Sequence, residues 1–162
     1  MKKLLFTMAV LCLTVLFTHA QNIHTLTIKN VTSNDIYVII NGNTIGGVPC
    51  APDYRSAIIA IPPGVVDYID PTYVTGGVNN SGGTALGANG VFNTVNVFTA
   101  NPNSGCSGMK MYQAGLCNGN TSFNNVPFFH YNPTATTVCQ YIGSYTIKTT
   151  QTGSSSMEIA IY

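Results

Sequence analysis

Beyond its first twenty residues the chain alternates apolar and polar positions in short runs, the period of half-buried β-strands rather than of helices. Leu26, Ile28 and Val31 mark a first strand. After the turn signal Ser33-Asn34, Ile36, Val38 and Ile40 alternate with Tyr37 and Ile39 in a second strand, which Asn41-Gly42-Asn43 closes. Their closeness in sequence predicts a hairpin. Residues 57–61 are apolar on both faces and read as a central strand ended by Pro62-Pro63-Gly64, with residues 65–69 returning as its partner.

Residues 71–90 are rich in Gly, Asn, Thr and Ser with almost no periodicity, which predicts a long loop or a loosely paired excursion. Order resumes at Val91, where Val91, Val95 and Val97 share one face and Phe92, Thr94, Asn96 and Phe98 the other. Residues 101–137 hold two cysteines and an aromatic run broken by Pro127 and Pro133, a pattern that is irregular or edge-like. Residues 140–149 and 157–162 flank Gln151-Thr152-Gly153-Ser154 and predict a closing hairpin with Met157, Ile159 and Ile161 facing inward.

No sustained three-and-four spacing of apolar residues and no run of strong helix formers follows residue 20. About seven to nine short strands with Gly, Pro and Asn punctuation, and no helix to cover a parallel sheet, predict an all-β fold, an antiparallel β-sandwich. An outer-membrane barrel would place Ser156, Glu158, Ala160 and Tyr162 in one lipid-facing row, and Glu158 argues against it.

The opening residues differ from the rest. Lys2 and Lys3 precede an apolar run at 4–17, and Thr18-His19-Ala20 supplies small-residue cleavage chemistry, so residues 1–20 read as a secretory signal peptide. Leu11 before Cys12 is not the small residue that a lipoprotein cleavage requires. Residues 21–162 are then expected as one domain that is secreted, whether extracellular, on the cell surface or periplasmic. No later stretch approaches the ~20 apolar residues of a membrane-spanning helix.

Export changes the reading of the cysteines. Cys50, Cys106, Cys117 and Cys139 remain after cleavage, and an even set outside the reducing cytoplasm predicts two disulfides. Three pairings are open, and the shortest loop favours Cys106–Cys117 with Cys50–Cys139. No CxxC pair and no histidine at ligand spacing accompanies these thiols, so neither a metal nor another cofactor is expected.

Charge is sparse: Lys29, Arg55, Lys110 and Lys148 stand against Asp35, Asp53, Asp67, Asp70 and Glu158 in residues 21–162. Four scattered cations cannot displace the counterions of a phosphate backbone, which argues against a nucleic-acid partner. Acid–base chemistry is equally poorly supplied. Only His24 and His130 follow the leader, no G-x-S-x-G elbow is present, and Asp67 and Asp70 diverge on an extended strand. With Asp53 they match no calcium-loop spacing.

The best recognition candidate is the aromatic stretch Phe128, Phe129, His130 and Tyr131, with Tyr112 inside the cysteine-flanked segment as an outlying member. Aromatic faces beside amide groups suit a glycan or a protein surface. The chain has no Trp and few Phe, so the same rings are also wanted by the core. The resulting expectation is a non-catalytic protein of binding, adhesion or envelope structure, with self-assembly through strand exchange open to it. The alternatives are a small secreted enzyme and a pore-forming protein inserting residues 72–100.

Overall fold

The computed structural model describes residues 23–43, 50–69, 78–79, 86, 90–117, 122–131 and 139–162. The expected leader, most of the 71–90 stretch and most of the segment assigned to pore formation lie outside the described residues. In chain order the strands are β1 (Thr25–Asn30), β2 (Ile36–Asn43), β3 (Tyr54–Arg55), β4 (Ile59–Ile61), β5 (Val66–Ile69) and β6 (Val78–Asn79), then β7 (Val91–Phe98), β8 (Met111–Gly115), β9 (Ser122–Tyr131), β10 (Cys139–Gly153) and β11 (Ser156–Ile161). Nine have three or more residues, and the fold is all-β. One sheet runs β5-β1-β11-β10-β9; the other runs β6-β3-β2-β7-β8, with β4 also paired to β2. Every pairing is antiparallel except β1 with β11.

The core holds alternating side chains that the pattern selects: Leu26 and Ile28 from β1, Ile36, Val38 and Ile40 from β2, Val95 and Val97 from β7, and Met157, Ile159 and Ile161 from β11. Val126 and Phe128 of β9 and Ile147 of β10 join them, with Ile23, Tyr54, Ile61, Leu86, Phe92 and Ala114, all buried. The closing hairpin forms as the sequence predicts, β10 turning at Ser154-Ser155 into β11.

Two predicted hairpins do not form. Strand β1 does not pair with β2, and β4 does not pair with the residues of β5; each neighbour in sequence crosses to the opposite sheet. Alternation says which face of a strand is buried but is silent on which strand lies beside it. Both crossings meet at Asn30, which is buried. Its Nδ2 donates to the carbonyls of Asn34 (2.8 Å), Ile61 (2.8 Å) and Pro62 (3.1 Å), while its Oδ1 accepts from the Thr32 N–H (3.0 Å) and hydroxyl (2.7 Å). Its backbone accepts from Gly64 N and donates to Val65 O, each at 2.9 Å. The polar groups of two tight corners are thereby satisfied away from water.

In β7 the face assignment changes at one residue. Thr94 pairs with Asn41 and Phe92 with Gly42, so Asn93 is an extra residue, and it reverses the alternation. Phe92 therefore enters the core with Val95 and Val97, and Val91 leaves it. Asn93 donates its side-chain amide to Asn43 Oδ1. A Cβ on Gly42 would lie 2.6 Å from Val91 O, so only glycine admits the close approach at this bulge.

The disulfides are Cys50–Cys117 and Cys106–Cys139, with Cα separations of 5.3 and 5.5 Å. All four cysteines after residue 20 are paired, but the expected partners are exchanged. Cys106 and Cys117 flank β8, not a loop, and five extended residues alone hold the chain ends about 17 Å apart, beyond bridging distance. Cys50–Cys117 spans one sheet from the turn before β3 to the end of β8, whereas Cys106–Cys139 joins the approach to β8 with the first residue of β10 in the other sheet. Two disulfides suit an oxidising environment.

Peptide mapping of non-reduced protein is expected to recover Cys50–Cys117 and Cys106–Cys139 peptides. Replacing either pair by Ala removes about 4 kcal/mol in the chain-entropy account, read as a lower urea midpoint. Asn30→Ala is expected to cost about 2–4 kcal/mol by leaving buried carbonyls unpaired, and Ser33→Ala, at an exposed site three residues further along the same corner, less than about 0.5 kcal/mol.

Candidate functional site

Where the Asn30 corner meets the β9–β10 hairpin, the surface opens into a cleft of about 310 Å³. Four segments line it: Ser33, Asn34, Asp35 and Tyr37 from the β1–β2 corner, Pro63 from the β4–β5 corner, Asn101 after β7, and Phe129, His130, Tyr131 and Ile142 from the hairpin. Each is held by local chemistry.

The first wall follows from Asn30. Thr32, whose hydroxyl donates to Asn30, accepts the Asn34 N–H at 3.2 Å, which folds Ser33–Asp35 into a tight bend. Asn34 then donates its Nδ2 to Tyr145 Oη at 3.1 Å, tying this bend to the opposite sheet. Asn101 forms an Asx turn in which its Oδ1 accepts the Asn103 N–H at 2.9 Å, and the Ser104 hydroxyl caps its carbonyl at 2.6 Å.

The second wall is β9, which tolerates Pro127 because, among the described residues, no strand lies along its outer side to receive an N–H. Its Phe129 N–H instead reaches Thr99 O, 2.7 Å away beyond the end of β7, so one backbone bond ties this edge to the end of an interior strand of the other sheet. Opposite it, Tyr141 pairs with Phe129 and Gly143 with Phe128, leaving Ile142 as the extra residue of a bulge and placing it in the cleft lining. Gly143 follows at φ 152°, a conformation that disfavours side chains.

Of the five aromatic-stretch candidates, three come together here. Phe129 is half-buried and edge-on to Tyr141 at 6.0 Å, His130 is exposed, and Tyr131 is half-buried. Phe128 points the other way, 2% exposed and edge-on to Tyr145 at 5.4 Å, so it belongs to the core. Tyr112 packs edge-on against Phe123 at 5.3 Å and does not line the cleft. Alternation along β9 divides the stretch: Phe128 faces inward, and Phe129 and Tyr131 take the opposite parity.

Sequence reasoning missed Ser33, Asn34, Asp35, Tyr37 and Asn101. Ser33-Asn34 carried a turn signal and Asp35 a charge, but nothing local says that a hairpin nearly a hundred residues later faces them.

Among the described residues that line the cleft, Asp35 carries the single formal charge and no Lys or Arg is present. His130 and Asp35 share it without a hydrogen bond between them. Among the described residues no three His, Cys, Asp or Glu side chains gather as metal ligands, and no helix is long and apolar enough to cross a membrane. No family model, curated protein or solved structure matches this chain.

Truncation separates the two roles along β9. Phe128→Ala is expected to destabilise by about 3–5 kcal/mol, and Tyr131→Ala by less than about 1.5 kcal/mol, compared by urea unfolding monitored with circular dichroism.

Proposed function

We propose that this is a non-catalytic binding protein exported behind a cleaved leader, acting outside the cell or in its envelope, and that the cleft between the Asn30 corner and the β9–β10 hairpin is its recognition site. The observation that carries the reading is the lining itself: three aromatic rings, two amides and a hydroxyl converge from three separate segments. Polar atoms make up the larger share of the lining, and aromatic faces set beside convergent polar groups suit a hydroxyl-rich ligand. The disulfides add support, because they suit an oxidising compartment and one of them anchors β10 beside Tyr131.

Adhesion and envelope structure are uses of the same recognition, and self-assembly is a further one. The sharing of the cleft by His130 and Asp35 favours one second reading, a small secreted hydrolase, in which the carboxylate would orient the ring as a base. Turnover of a bound ligand, lost in His130→Ala while binding persists, separates that reading from the first.

The oxidised protein, applied to an array of immobilised glycans and extracellular proteins, is expected to give signal on at least one class. Tyr131→Ala is expected to reduce that signal at least about tenfold, the equivalent of 1.4 kcal/mol, while retaining the fold. Absence of signal throughout, or signal unchanged in the variant, overturns the assignment.

A further inference from the structure

The chemistry of the cleft narrows its ligand, on the premise that the cleft is the recognition site. We propose that it takes an uncharged sugar ring, and that Asp35 is the residue that reads its hydroxyl groups. The argument starts with charge. A carboxylate stands in the lining with no cation beside it, and Lys29, Arg55, Lys110 and Lys148 all lie elsewhere, so uronate, sialate, sulfate and phosphate groups are repelled. An uncharged ligand rich in hydroxyl donors gains instead, since hydrogen bonds to an ionised acceptor are the stronger kind.

The neutral groups complete the recognition. Asn101 spends its Oδ1 on the Asn103 N–H and leaves its Nδ2 without a partner; Asn34 spends its Nδ2 on Ser33 and Tyr145 and leaves its Oδ1. One amide therefore offers a donor and the other an acceptor, the pairing that adjacent sugar hydroxyls require. Tyr37, Phe129 and Tyr131 supply aromatic surface for the C–H face of a ring. The volume, near 310 Å³, sits at the small end of the roughly 300–1,000 Å³ range of ligand sites and suits a single residue of a glycan.

An extended peptide is disfavoured by the backbone beside the cleft. Strand addition needs free N–H and C=O groups at alternate residues of an edge. On the outer edge of β9 the Phe129 N–H is already bonded to Thr99 O, and Pro127, the preceding residue of the same parity, has none.

Saturation-transfer NMR on the oxidised protein tests the proposal, with the methyl glycosides of glucose, galactose, mannose and N-acetylglucosamine as neutral probes and glucuronic and sialic acids as charged ones. Transfer to at least one neutral glycoside is expected, with little to the acids. Asp35→Asn is expected to weaken the neutral ligand about fivefold to tenfold while easing the exclusion of the acids, a pair of changes that a loss of fold would not produce. Tyr131→Ala is expected to abolish transfer. Preference for the acids, or indifference of the neutral ligand to Asp35→Asn, overturns the sugar assignment and leaves a recognition site of another class. Transfer to none of the glycosides also overturns it, and in that case signal on the arrayed proteins, lost in Tyr131→Ala, preserves the broader reading of the cleft.

Discussion

One buried side chain, Asn30, holds together two of the places where this chain leaves one sheet for the other, the passages from β1 to β2 and from β4 to β5. A corner in a β-sandwich forces backbone N–H and C=O groups out of the ladder just where the chain passes from a buried strand to the surface, and each unpaired group costs on the order of 1–3 kcal/mol. A primary amide has both donors and an acceptor on a short stem. At position 30 it serves the carbonyls of Asn34, Ile61 and Pro62 and the N–H and hydroxyl of Thr32 at once. Aspartate lacks the donors, and glutamine is one methylene too long for a side chain already buried at 1% exposure. The corner from β1 to β2 and the corner from β4 to β5 are consequently one polar cluster, which together with the Asn34–Tyr145 bond fixes the sheets against each other at this end.

The same chemistry recurs because the chain has few charges to spend. In the second sheet Asn41 and Gln113 both donate to Thr94 Oγ1 at 3.2 Å, and Asn43 donates to Ala51 O at 2.7 Å beside the bulge at Asn93. Neutral amides can be buried at a cost that hydrogen bonds offset, whereas a lone carboxylate or ammonium cannot. The device is not complete: Asn96 Oδ1 and Thr149 Oγ1 are buried without a partner. Hydrogen bonds of this kind are individually modest, so the covalent links carry a correspondingly larger share of what resists unfolding.

What the residues announced, and what they concealed, follows from the range of each interaction. Strand periods, the inward face of Met157, Ile159 and Ile161, the edge character of β9 and the oxidation of four cysteines are legible because they depend on neighbours within a few positions. The crossing at Asn30 was not, because Ser33-Asn34 reads as a turn whether the next strand returns beside the last or across from it. The cysteine pairing failed for a related reason: the shortest loop looked cheapest until Met111–Gly115 proved to be a strand, too stiff to close. Within the candidate site the aromatic stretch was half right, since Phe129, His130 and Tyr131 reach the cleft and Phe128 does not. Their partners Asn34, Asp35 and Asn101 were invisible, since what gives them a role is tertiary contact.

That contact explains why the cleft sits here and not on the open face of either sheet. Strand faces present side chains in a plane, and concavity arises where an edge curls over a corner. The bulge at Ile142 bends β10, the Phe129–Thr99 bond draws β9 toward the second sheet, and Cys106–Cys139 fixes the start of β10 to the loop that follows Asn101. Each wall is thus tied to the other by a bond that does not pass through the cleft. Part of the lining can therefore vary without loss of its supports: the side chains of Asp35, His130 and Tyr131 make none of these bonds, whereas Asn34 and Asn101 both line the cleft and brace it. In the proposed recognition role, selectivity resides in the first group, whose replacement leaves the frame intact, which is a condition under which a small β-sandwich can serve recognition rather than only fill space.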